Sequence, residues 1–261
     1  MKYGFIGCGN MGSALAQALA KKTTDILLSD RSGKGQILAK ELGCQYADPA
    51  TVAAECDRIF LGVKPQGMES VLGSLKDILL LRKPVLISMA AGLKLERIEQ
   101  MLGFSLPLIR IMPNTPVAVG CGMTPYCHNT LIDDELMADF LEDMTFAGSF
   151  DALNEELFDV ATALSGSGPA YMYLFAEALA DGAAECGLPK DKALLYAANT
   201  MLGAARMMQT SPKTPDELKD AVCSPGGSTI RGVEALENHE IRKAATDCVV
   251  AAYQRNIELG K

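Results

Sequence analysis

With 261 residues, 49% of them apolar and 21% charged, the chain can bury a sizeable core in one or two domains. Its net charge of −8 argues against non-specific attraction to nucleic acid or to an anionic membrane surface. Eight scattered cysteines without a Cys-x-x-Cys pair, beside His128 and His239 alone, point to reduced thiols and no metal site. Lys2, an apolar stretch and Ala18-Leu19-Ala20 loosely imitate a signal peptide, but Gly7, Gly9, Asn10 and Gly12 break its apolar centre. Arg82-Lys83-Pro84 interrupts the best membrane-spanning candidate. A soluble, cytoplasmic protein is expected.

The first part of the chain alternates short β-like runs with helical patterns. Tyr3–Ile6 reads as a buried strand, followed by a glycine turn and a helix from about Met11 to Lys22. A strand over Asp25–Ser29 leads to a helix over Gly35–Leu42 that Gly43 closes. Asp48-Pro49 supplies an N-cap and an N1 proline for a short helix to Glu55. Strands at Arg58–Val63 and Val85–Ser88 alternate with helices at Met68–Leu80 and Leu93–Leu102. Leu106–Met112 and Gly122–Tyr126 read as further strands, and Asp133–Phe146 as a helix. This order predicts a doubly wound α/β sheet, parallel at least through its early strands.

The β signal ends near residue 152, which divides the chain into 1–152 and an all-helical 153–261. Tyr171, Leu174, Phe175, Ala178, Leu179, Gly182, Ala183 and Cys186 follow helical spacing up to Gly187-Leu188-Pro189. A second helix runs from Lys190 to about Gln209, a third begins with Pro215 at N1, another spans Ile230–Glu237, and His239–Lys261 forms the last. Their Ala- and Gly-rich faces fit close helix packing, within one subunit or between two.

The turn Gly7-Cys8-Gly9-Asn10-Met11-Gly12 follows a buried strand and opens a helix, the context in which Gly-x-Gly-x-x-Gly seats a dinucleotide. Gly7 allows the tight turn, Gly9 the approach of a pyrophosphate and Gly12 the close packing of helix on strand. Asp30, at the end of the next strand, suits a ribose diol and NADH. Its neighbours Ser29, Arg31 and Ser32 suit the 2′-phosphate of NADPH, and both cofactors stay open. Asp30 or Ser32 serving only to cap the turn is the plainer alternative. Three more loops leave strand ends, where open α/β sheets place ligands: Gly62-Val63-Lys64-Pro65, Met89-Ala90-Ala91-Gly92 and Met112-Pro113-Asn114-Thr115-Pro116. Lys64 is either a groove residue or a solvated loop lysine.

Two loops of the helical half are rich in small and polar residues, Leu164–Tyr171 and Cys223–Thr229. Glycine amides and hydroxyls at a helix N-terminus can take a carboxylate without a charged side chain, though such loops are often only helix starts. Together "GFIGCGNMGSALAQAL", "LGVKPQ", "SMAAG", "IRIMPNTPVAVGCGMT", "LSGSGPAYMY", "ADGAAECGLP" and "CSPGGSTIRGVEALE" resemble the pyrroline-5-carboxylate reductase family, in order from residue 4 to about 250. The resemblance implies an N-terminal Rossmann-like domain, a helical dimerisation domain, and reduction of 1-pyrroline-5-carboxylate to L-proline by NADPH or NADH. It further implies Thr229 at the ring nitrogen, and Ser224, Gly226, Gly227 and Ser228 at the carboxylate.

From the glycine turn and the end of the second strand, Gly7, Cys8, Gly9, Asn10, Met11, Gly12, Ser29, Asp30 and Arg31 are the residues expected to hold the dinucleotide. Val63, Lys64, Pro65, Ala90, Ala91, Asn114 and Thr115 would hold it farther along the groove. Lys64 joins Thr229 as a catalytic candidate near the nicotinamide. The family places its substrate between two subunits, so a homodimer is the implied minimum. Thr210–Pro215 departs from the glycine- or glutamate-containing His-Pro turn frequent in the family, and Ser228 stands where many members have threonine or alanine. A reductase for another cyclic imine is the near alternative. A β-hydroxyacid dehydrogenase would need a lysine and an asparagine one turn apart, where this chain has Met172 and Ala176.

Overall fold

A computed structural model describes residues 1–259 of the chain. The chain divides into two compact units, residues 1–167 with the C-terminal residues from Ala252, and Gly168–Ala251.

The first unit is built on β1 (Tyr3–Ile6), α1 (Asn10–Ala20), β2 (Ile26–Ser29), α2 (Lys34–Leu42), β3 (Gln45–Tyr46), α3 (Pro49–Glu55), β4 (Arg58–Leu61) and α4 (Pro65–Arg82). It continues through β5 (Val85–Ser88), α5 (Leu95–Leu102), β6 (Leu108–Ile111), β7 (Gly122–His128), α6 (Asp134–Asp143), β8 (Gly148–Ala152) and α7 (Phe158–Ala161). The eight strands form one sheet in the order β3-β2-β1-β4-β5-β6-β7-β8. Pairs are parallel except β6 with β7. This is the doubly wound α/β architecture, and its chain reverses direction of winding between β1 and β4.

The short strands are apolar on both faces because helices cover both. Successive side chains point to opposite sides, so Phe5, Leu28, Phe60, Ile87 and Ile109 join one core. Ile6, Leu27, Ile59, Leu86 and Leu108 join the other. Phe5 stacks on Phe60 with ring centroids 4.4 Å apart. Local signals fix the helix ends: Asp48 Oδ1 accepts from the Ala50 and Thr51 amides at 2.9 and 3.0 Å, and Gly43 closes α2 at φ +68°.

Two arginines, Arg58 and Arg110, sit inside this unit. Arg58 is 1% exposed. Its Nη1 donates to the Tyr3 hydroxyl at 2.7 Å and to Asp143 Oδ2 at 3.2 Å, while Nη2 reaches the Leu136 carbonyl at 3.5 Å. Tyr3 donates in turn to Asp143. Burial, reinforced by the Asp143 carboxylate, pushes the Tyr3 phenol well above its ordinary range.

The structure adjusts several sequence expectations. The strand expected over Arg58–Val63 ends at Leu61, because Gly62 bends the chain against Gly7. The helix expected from Met68 starts at Pro65, whose fixed φ suits the first helical position, and it runs to Arg82. The helix expected over Asp133–Phe146 stops at Asp143 and passes into a 3₁₀ turn, Thr145–Ala147. Strands β3 and β8 and a π turn over Thr162–Gly166 have no counterpart in the expected elements.

The second unit carries α8 (Gly168–Glu185), α9 (Lys190–Thr210), α10 (Pro215–Val222), α11 (Ser228–Asn238) and most of α12 (Ile241–Leu259). The expected last helix began at His239 and included Gly260 and Lys261, which lie outside the described residues. Pro215 stands at N1 of α10 behind a capping box: Glu217 donates its amide to Thr214 Oγ1 at 3.3 Å, and Glu217 Oε2 accepts from the Thr214 amide at 2.7 Å. Helices α8 and α9 pack on each other. Among the described residues from 168 onward only Ala180 and Ala193 are buried, while Tyr173, Leu174, Leu195, Tyr196 and Leu202 are more than half exposed. No helix among the described residues is long and apolar enough to cross a membrane.

Candidate functional site

At the point where the winding reverses, three glycines interlock. Gly7 has φ +107°, a left-handed backbone that glycine alone adopts without strain, and a Cβ there would lie 2.5 Å from the Gly62 carbonyl oxygen. A Cβ on Gly12 or on Gly62 would run into the Gly7 carbonyl oxygen. The backbone is pinned below by the Gly7 amide on the Ser29 carbonyl at 2.7 Å and the Gly62 amide on Ile6 at 2.8 Å.

Gly9 differs from its neighbours. It is the N-cap of α1, it is exposed, and nothing lies within 4 Å of a Cβ built on it. No side chain caps the helix, and its first turn holds no acidic residue. The open face above Gly9, with the helix amides of Asn10, Met11 and Gly12 behind it, fits a pyrophosphate by shape and by dipole.

Cys8 points the other way, 2% exposed, its thiol donating to the Ser29 carbonyl at 3.7 Å. Burial pushes this thiol up to about 11, with help from the Asp30 charge and against the Ser29 hydrogen bond. The turn therefore brings no thiolate near an incoming anion. At neutral pH Cys8 should react with iodoacetamide about a hundredfold more slowly than an ordinary free cysteine, while exposed Cys121 is labelled first; peptide mass mapping over time reads both. Burial likewise pushes Cys56 and Cys127 up to about 12.

Asp30 lies at the carboxyl end of β2, where ribose recognition is expected, and its oxygens are already engaged. Oδ1 accepts from the Gly35 amide at 3.0 Å, and Oδ2 from the Ser32 amide at 3.0 Å and from the Ser32 hydroxyl. Partial burial acts to raise its pKa, but the hydrogen bonds from Ser32, Gly35 and Lys34 outweigh it and hold the carboxyl below its usual value. Asp30 thus organises the Ser32–Gly35 turn into α2, with its carbonyl held by the Tyr46 hydroxyl at 2.8 Å. Arg31, Ser32 and Lys34 are exposed around it, and Ser29 is buried at 1%.

The remaining candidate residues of this unit leave the same edge of the sheet, since β1, β2, β4, β5 and β6 run parallel. Val63 is half-buried, exposed Lys64 is the N-cap of α4, and Pro65 follows at N1. Ala90 is buried and Ala91 exposed after β5. Asn114 is buried after β6, and exposed Thr115 opens a 3₁₀ turn to Val119. Gly62 was expected only as the first residue of a strand-end loop, and its interlock with Gly7 is what the structure adds.

In the second unit, Cys223–Thr229 turns sharply before α11. Gly226 has φ +71°, and the Gly227 amide closes the turn on the Ser224 carbonyl at 3.0 Å. Gly227 is the N-cap; no side chain caps α11 and no acidic residue stands in its first turn. Ser224, Gly226, Ser228 and Thr229 are exposed together there. The donors at this terminus suit one small carboxylate. Among the described residues no three His, Cys, Asp or Glu side chains gather as metal ligands do.

Comparison with known proteins agrees with both halves. The family described as pyrroline-5-carboxylate reductase dimerisation matches residues 155–259, and NADP oxidoreductase coenzyme F420-dependent matches residues 2–92. The pyrroline-5-carboxylate reductase of Synechocystis is 38% identical, covering 100% of this chain and 99% of its own. That of Escherichia coli is 35% identical over 100% and 98%. Among solved structures, the Coxiella burnetii enzyme matches with a TM-score of 0.91 at 34% identity, covering 100% of this chain and 98% of its own. The Plasmodium falciparum enzyme with NADP bound matches with a TM-score of 0.90 at 32% identity and the same coverage. By full-length identity above 30% to several such enzymes, the chain belongs to the pyrroline-5-carboxylate reductase family.

Proposed function

We infer that this protein reduces 1-pyrroline-5-carboxylate to L-proline with NADPH or NADH, the last step of proline biosynthesis. The observation that carries the reading is the uncapped start of α11, where Ser224 and the Gly226–Thr229 backbone offer donors to one carboxylate. The dinucleotide lies along the Gly7–Gly12 turn, Ser29–Arg31, Val63–Pro65, Ala90–Ala91 and Thr115; Asn114, expected to bind it as well, is buried with its amide engaged by Met123 and Ser165 and supports that loop from behind. When bound, it supplies the hydride that the imine carbon receives. The pyrrolinium nitrogen already carries its proton, so these residues need mainly orient the ring and exclude misplaced poses. Thr229 Oγ1 contacts that nitrogen and the α11 amides fix the carboxylate, while Lys64 contributes a positive charge near the nicotinamide.

The division made from the sequence is kept, with residues 1–152 for the cofactor and 153–261 for substrate and self-association. The protein works as a homodimer or larger homo-oligomer, a reading supported by the exposed apolar side chains of α8 and α9. It is taken to be cytoplasmic, in keeping with eight unpaired cysteines.

The test is oxidation of NADPH and of NADH that depends on pyrroline-5-carboxylate. Thr229→Ala should lower kcat about a hundredfold and leave the Kd for NADPH unchanged. Absence of turnover with either dinucleotide would overturn the reductase reading, and a parallel loss of NADPH affinity would overturn the role of Thr229.

A further inference from the structure

Asn114 is 8% exposed, and both ends of its amide are used inside the first unit. Its Oδ1 accepts from the Met123 amide on β7 at 2.9 Å, and its Nδ2 donates to the Ser165 carbonyl at 3.0 Å. It does not cap the 3₁₀ turn that follows it. Ser165 belongs to the π turn Thr162–Gly166, where the Ser167 amide reaches back five residues to the Thr162 carbonyl at 2.9 Å.

Such a turn holds one residue more than an α turn and disturbs the regular pairing of carbonyl with amide. Here hydroxyls take up neighbouring carbonyls, Ser165 Oγ on Ala161 at 2.9 Å and Thr162 Oγ1 on Phe158 at 2.6 Å. The Ser165 carbonyl has a different difficulty. Its regular helical partner would be the amide of residue 169, which is proline and has none.

We propose that Asn114 is a positioning residue for the reaction: its amide stands in for the N–H that Pro169 lacks, and so fixes the register of the Leu164–Ser167 turn against the loop leaving β6. This deepens the reductase reading and rests on it. If the π turn relaxed into an α turn, every following residue would rotate by about 100° about the helix axis. A shift of that kind misplaces whatever the turn presents, without touching the pyrophosphate turn at Gly7–Gly12.

Asn114→Asp keeps the shape and the acceptor for Met123 but sets a carboxylate oxygen against the Ser165 carbonyl; Asn114→Ala removes both bonds. Both variants should speed amide exchange in peptides covering 162–168 by about tenfold or more, with other peptides unchanged. In both, kcat should fall roughly 10- to 100-fold while the Kd for NADPH stays within about threefold. Adding Pro169→Ala to Asn114→Ala restores a donor for Ser165 and should recover most of the exchange protection and of kcat. Unchanged exchange, an NADPH Kd rising in step with the loss of kcat, or no rescue by Pro169→Ala would each overturn the proposal. If the wild-type protein does not turn over pyrroline-5-carboxylate, the reductase reading falls, while the exchange and rescue arms still decide what Asn114 does to the turn.

Discussion

Gly9→Ala should yield a folded protein that binds NADPH at least about tenfold more weakly, whereas Gly12→Ala should lose stability before binding can be measured. The two substitutions add the same methyl group to the same turn. At Gly9 the backbone is ordinary, with φ −71°, and the space above it is open, so the methyl group meets nothing until a pyrophosphate arrives. At Gly12 it is driven into the Gly7 carbonyl oxygen, and Gly7 cannot retreat because Gly62 stands against it. Overpacking against backbone costs about 3 kcal/mol or more, since neither β1 nor β4 can move alone within the sheet. Titration followed by the fluorescence of NADPH itself, alongside thermal melts, separates the two effects. Equal loss of stability in both variants would mean that the face above Gly9 is not free.

Removing the carboxylate from Asp143 should be the most damaging single change far from the site. Arg58 would remain charged at 1% exposure, and its Nε already has no hydrogen-bond partner. Stranding a buried charge costs about 3 kcal/mol or more, which for a chain of this size lowers the melting temperature by on the order of 10 °C. Asp139, 4.0 Å from Nη2 and largely exposed, is too far and too solvated to substitute. Pairing Arg58→Met with Asp143→Leu should restore only about half of the loss, because both charges go but the buried Tyr3 hydroxyl loses its two partners. Urea denaturation of Asp143→Ala and of the double variant checks this, and a single-variant loss under about 1 kcal/mol would count against a buried charge at Arg58.

Much of this architecture was legible in the sequence because it is written locally. The strand at Tyr3–Ile6, the cap at Asp48-Pro49 and the stop at Gly43 each depend on a few adjacent residues, and periodicity carries the helices from α8 to α12. What escaped depends on distant pairing. Gln45–Tyr46 is a two-residue strand at the sheet edge, exposed on both positions, with no apolar alternation to announce it. Gly148–Ala152 has a single aromatic among small and acidic residues and becomes a strand only beside β7. The π turn escapes because no simple spacing marks one extra residue in a helix. At the site, the glycine motif was readable but the role of Gly62 was not, since its contact with Gly7 exists only once β4 lies beside β1. Asp30 was readable from the sequence in two ways, as a ribose ligand or as a cap of its own turn, and the Ser32 and Gly35 amides on its carboxylate answer to the second.

The near absence of buried side chains in α8–α11 has a thermodynamic consequence. A helical unit whose described residues enclose only Ala180 and Ala193 has no interior to hold it when alone. Its ordering and its meeting with a second copy then become one equilibrium governed by mass action, and protein concentration enters the stability directly. In the bound regime each doubling of free partner adds about 0.4 kcal/mol. The melting temperature of such an enzyme is a property of the solution as much as of the chain, and dilution acts on it as a mild denaturant.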